Sequence, residues 1–186
     1  DFFKQLYRHP VDVEPMLKRI GLWDDRDKKA GELSKGMKIR LNFVRALLNN
    51  PKMLFLDEPT NGLDPVNARI MKDMILEFRE QGGTVFLTSH IMSDVDELCD
   101  RVAFIVDGKL QEIDSPRNLK IKYGKRTVKV EYKEEGQLIQ REFTMDEIKT
   151  PAFFELLQNK DIETLHSGET TLEEIFIKVT GVHLRG

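Results

Sequence analysis

Two kinds of hydrophobic spacing alternate along the chain. Residues 53–56 and 84–88 are short apolar runs rich in aromatic or β-branched side chains, the first bounded by Pro51 and the second preceded by Gly82-Gly83. Runs of this length predict strands of a parallel sheet, buried on both faces. Elsewhere apolar residues recur three and four apart, which predicts amphipathic helices. One starts near Glu14 with Pro15 at its first position, buries Met16, Leu17 and Ile20, and ends at Gly21. Another follows Ser34 as N-cap and aligns Met37, Leu41, Val44 and Leu48. A third starts at Asp64-Pro65 and carries Ile70, Met74 and Phe78, and a fourth over 92–99 turns Val95, Leu98 and Cys99 inward. Phe2, Phe3, Leu6 and Tyr7 suggest a helical turn closed by His9-Pro10. Trp23 reads as packing for this helical layer, and 24–29 as a solvated charge run.

After residue 100 the pattern changes. Residues 101–114 predict a hairpin turning at Asp107-Gly108, and Ser115-Pro116 opens a short helix to Tyr123. Residues 127–132 and 138–143 alternate about a turn at Gly136, which predicts a half-exposed hairpin. An apolar helix over 151–158, a strand over 162–166 and a helix over 171–179 follow, the last with Thr171 and Glu174 spaced as a capping box. The sum is an α/β chain in three parts: a helical segment over 1–50, a sheet core over 51–123 and a small α+β appendage over 124–186.

Composition narrows this little. The net charge of −3 offers no basic footprint for nucleic acid. Cys99 is the sole cysteine, so no intrachain disulfide forms. No apolar run reaches the roughly 20 residues that a membrane span needs.

Candidate chemistry concentrates at KMLFLDEPTNGLD, residues 52–64. The apolar strand ends in adjacent carboxylates, Asp57 and Glu58, at the strand end where open α/β sheets bind their ligands. By itself such a pair also serves to solvate a strand end or cap a helix. The longer string resembles the Walker B motif and D-loop of ATP-binding cassette (ABC) ATPases. Upstream, Leu33-Ser34-Lys35-Gly36-Met37 resembles that family's signature motif, usually LSGGQ, with Lys35 and Met37 as departures. Downstream, Ser89-His90 after the second strand resembles the switch-histidine loop. The tail, ending LEEIFIKVTG, resembles the appendage of drug-exporter ATPases.

The resemblance implies a partial P-loop NTPase sheet with a helical subdomain, ATP as substrate and Mg2+ as cofactor. It assigns Asp57 to the metal, Glu58 to polarise the attacking water, and His90 to read the γ-phosphate. Ser34, Lys35 and Gly36 would touch ATP held by an opposite subunit, and Asp64 would be the D-loop aspartate. The partners implied are a second ATP-binding subunit, identical or not, and a membrane permease, placing the protein peripherally on the cytoplasmic face of the cell membrane. Export of a drug, peptide or lipid-like cargo fits the tail. A soluble ABC ATPase of translation or DNA maintenance, and a non-catalytic regulatory fragment, are the other readings. Gly31 and Gly36 have P-loop glycine spacing, but Met37 stands where the lysine belongs, and no GxxxxGKS or GxxxxGKT string occurs. These 186 residues alone are therefore expected neither to bind ATP tightly nor to hydrolyse it. No catalytic set is visible in the tail, where His166 and His183 read as surface or packing residues.

Overall fold

The computed structural model describes residues 12–181. The helical turn expected around Phe2, Phe3, Leu6, Tyr7 and His9-Pro10, and His183, lie outside the described residues. The chain divides into two compact units, one ending at Leu98 and one beginning at Cys99.

In the first unit, α1 (Val13–Arg19) starts earlier than the Pro15 signal suggests, because the Asp12 carboxylate accepts the Glu14 backbone N–H and fixes the cap there. α2 (Lys35–Leu47) follows Ser34, whose hydroxyl accepts the Met37 N–H at 3.2 Å, as an N-cap should. It buries Phe43, Val44 and Leu47. β1 (Met53–Asp57) leads through a turn into α3 (Pro65–Glu80), capped by Asp64 with Pro65 in its first turn. β2 (Thr84–Thr88) then runs parallel to β1, in register from Met53 opposite Thr84 to Asp57 opposite Thr88. α3 is the crossover that any parallel pair requires, and it packs on β2 and on α4 (Met92–Leu98).

Burial of β1 on both faces, expected from its continuous apolar run, is not observed. Leu54 is 3 % exposed, whereas Phe55 is 74 % and Phe86 61 % exposed. Side chains alternate across a strand, so helices on one side bury only every second residue. The rings of Phe55 and Phe86 sit together at 5.9 Å on the open face.

The second unit begins with the hairpin β3 (Val102–Val106) and β4 (Lys109–Asp114), followed by α5 (Pro116–Tyr123). Asp107 and Gly108 both take positive φ, +50° and +71°, the conformation that a two-residue turn of the right twist demands. β5 (Arg126–Glu134), β6 (Gln137–Thr144) and β7 (Asp161–Glu169) form an antiparallel sheet in the order β6-β5-β7. α6 (Pro151–Asn159) covers one face, where Val128, Val130 and Tyr132 meet Phe153 and Leu156. α7 (Leu172–Thr180) has the predicted capping box and packs on α5 and β3, with Phe176 edge-on to Phe104 at 5.2 Å.

Candidate functional site

The parallel register of β1 and β2 ends both strands at one level, and this brings the candidate residues together. The ladder runs one step past the strands, as the Glu58 N–H donates to the Thr88 carbonyl at 3.0 Å. Glu58 has φ +47°, in the left-handed region uncommon for a residue with a side chain. Its carboxylate accepts the His90 backbone N–H at 3.1 Å, and Oε1 lies 2.8 Å from His90 Nδ1. A carboxylate only accepts, so Nδ1 carries a proton and Nε2 is left for another partner. The Ser89 hydroxyl donates to Glu58 Oε2 at 3.5 Å and accepts the Ile91 N–H at 3.0 Å. Asp57 is exposed, and its Oδ1 accepts the Thr88 hydroxyl.

Asp57 and Thr88 are hard oxygen groups at an open strand end. That set suits Mg2+, which takes one or two protein oxygens and completes its shell with phosphate and water. Glu58 is committed to His90, and no cluster of three or more His, Cys, Asp or Glu able to hold a metal occurs among the described residues.

Beyond Glu58 the chain turns twice, through Asn61 N–H to Glu58 carbonyl and Leu63 N–H to Thr60 carbonyl. Gly62 sits at φ +77° within this turn. The turn is fastened from below: the Thr60 hydroxyl donates to Asp94 Oδ2 at 2.6 Å, both residues being buried, and Lys72 pairs with Asp94 at 3.1 Å. Asp64 accepts the Val66 and Asn67 N–H groups at 3.1 and 3.0 Å, and the Asn67 amide as well. These donors, the Asn67 amide first, hold the Asp64 carboxyl below its ordinary range.

The signature-like segment comes to the same turn. A side chain on Gly36 would press on Leu63, 3.4 Å away, and Lys35 lies alongside Gly62. The structure therefore assembles Asp57, Glu58 and His90 at the strand ends, and Ser34, Lys35, Gly36 and Asp64 about the adjacent turn. Sequence reading missed Thr60, Asp94, Arg40 and Asn67. Only Thr60, inside the acidic string, carried a local signal.

Residues 4–61 match the family model "ABC transporter", and residues 126–169 match "Fluoroquinolone efflux ABC transporter C-terminal domain". The chain is 49 % identical, over 98 % of its length, to a fluoroquinolones export ATP-binding protein of Mycobacterium tuberculosis (strain ATCC 25618 / H37Rv), of which it spans 62 %. It is 40 % identical over 110 residues to a lantibiotic transport ATP-binding protein of Streptococcus pyogenes, covering 58 % of this chain and 48 % of the relative. A solved ATP binding subunit of an ABC transporter superposes with a TM-score of 0.56 at 22 % identity, over 66 % of this chain and 49 % of that one, which establishes the α/β fold of an ABC ATPase. Signature-like, Walker B-like and histidine-loop segments in family order, followed by a matched C-terminal domain, agree with these matches: the chain carries part of an ABC transporter ATP-binding domain joined to a C-terminal domain of the fluoroquinolone-efflux type.

Proposed function

We propose that the full-length protein hydrolyses ATP to drive an exporter, acting on a separate membrane permease from the cytoplasmic face of the membrane. The observation that carries this reading is the Glu58–His90 pair at 2.8 Å, beside an open carboxylate at Asp57. The relatives' printed names favour export, and fluoroquinolone-like amphiphilic drugs are the cargo to test first.

Two ATP-binding subunits close on two nucleotides. Asp57, with the Thr88 hydroxyl, would hold Mg2+, which when bound neutralises charge on the β- and γ-phosphates. Glu58 accepts hydrogen bonds from the attacking water and orients it. His90 holds the Glu58 carboxylate in place through two bonds, which leaves Nε2 for the γ-phosphate in this reading. Since Nδ1 is already a donor, a donating contact from Nε2 to phosphate requires the doubly protonated ring. Ser34, Lys35 and Gly36 present a helix N-terminus to the partner subunit's ATP, where free N–H groups and the dipole favour anionic oxygen. Asp64, capping α3 beside them, lies on the same facing surface.

The test is Glu58→Gln in the full-length protein with its permease. ATP-dependent pairing persists and steady-state turnover falls by about 10² or more, the usual contribution of a positioned base. Turnover within threefold of the parent would remove Glu58 from the mechanism.

A further inference from the structure

We propose that Arg40 is a positioning residue that locks the signature helix to the Asp64 turn, so that both meet the opposite subunit's nucleotide as one rigid edge. This rests on the ATPase reading above and deepens it. The Arg40 guanidinium, half-buried, reaches two other helices and the first turn of its own. Its Nη1 donates to the Ile20 carbonyl at the end of α1 and to Asn67 Oδ1 at 2.7 Å. Its Nε donates to the Gly36 carbonyl at 3.4 Å, in the first turn of the signature helix. Asn67 in turn gives its side-chain amide and its backbone N–H to Asp64. A continuous donor chain thus runs from the signature segment through Arg40 and Asn67 to the carboxylate of Asp64.

Leu63 of the turn lies close to the same helix, 3.4 Å from where a Cβ on Gly36 would stand. Gly21, at φ +65°, takes the left-handed conformation that closes the end of α1 beside Arg40. The three acceptors are met from two nitrogens, Nε and Nη1, fixed in one plane, whereas a lysine ammonium would have to reach all of them from a single atom on a flexible stem. No polar contact from Arg40 runs to Asp57, Glu58 or His90 among the described residues, so its effect is on placement rather than on the chemical step.

The experiment uses the full-length protein in a Glu58→Gln background, with ATP-dependent pairing followed by sedimentation. Arg40→Lys, Asn67→Ala and their combination are compared with the parent. Each single change raises the ATP concentration for half-maximal pairing about tenfold, the loss expected for one charge-assisted hydrogen bond. The double variant is no worse than the weaker single, because both cut the same chain. ATP affinity of the unpaired subunit and the thermal midpoint stay near the parent's. Parent-like pairing in Asn67→Ala, or additive losses in the double variant, overturns the proposal; Asn67→Ala also decides the matter if Arg40→Lys folds poorly. A parent that binds no ATP refutes the ATPase reading, and the role of Arg40 falls with it; a parent that binds ATP while the variants pair normally refutes the role of Arg40 alone.

Discussion

A left-handed backbone at Glu58 costs on the order of 1–3 kcal/mol relative to an extended one, and the surrounding bonds hold it there. Its N–H still completes the ladder to Thr88 while its carboxylate turns to His90. Beneath it, Thr60 is 4 % exposed and gives its hydroxyl to Asp94, itself 7 % exposed. Thr60→Val keeps the shape and removes the donor, leaving Asp94 with Lys72 alone. A loss of about 1–3 kcal/mol is expected, the cost of a buried polar group left short of a partner, measured by urea unfolding. Single residues at strand ends were legible in the sequence: Asp57, Glu58 and His90 each follow an apolar run that sets their level. Arg40 and Asp94 were not, because their partners lie 27 and 34 residues away and no local spacing announces a meeting that only helix docking creates.

Among elements, the caps read most directly from the sequence. Ser34, Asp64, Ser115 and Thr171 all cap as their residue types suggest, since the interaction spans three residues and needs no tertiary context. Strand burial read less well, because a continuous apolar run does not report whether a second layer covers it. α1 and α3 are tied by Arg19 and Glu77, and α3 and α4 by Lys72 and Glu97 at 2.6 Å. Those hydrogen bonds hold the Glu77 and Glu97 carboxyls below their ordinary range. A carboxyl depressed on folding stabilises fully above the unfolded-state value of about 4.3, and its contribution fades as pH falls through the lower folded-state value. The urea midpoint should therefore drop on acidification below about pH 4, with a shallower drop in Glu77→Gln. Gly124, at the end of α5, tolerates no side chain: a Cβ would stand 2.4 Å from the Lys120 carbonyl oxygen. Gly124→Ala should cost about 1–3 kcal/mol by forcing the helix end to shift, read as a lowered thermal midpoint.

For the molecule as a whole, the open face of the β1–β2 pair is the exposed aromatic surface to test in solution. Phe55 and Phe86 present adjoining, tilted aromatic rings to water, a surface of the kind that drives association. The 186-residue chain should self-associate on concentration, and Phe55→Asp should reduce this in light scattering without changing the helical signal of α3. Magnesium-dependent turnover by these residues alone would contradict the expectation drawn from their want of a GxxxxGKS-type loop. The family was legible because its short strings sit in fixed order; the joint between signature helix and Asp64 turn was not, being a property of assembled helices. The register of β1 against β2 decides which side chains meet at the strand ends. Side chains on a strand alternate, so a slip by one residue would set Leu87, not Thr88, opposite Asp57 and carry His90 away from Glu58. A copy in that register would lack the Glu58–His90 pair on which the proposed hydrolysis depends.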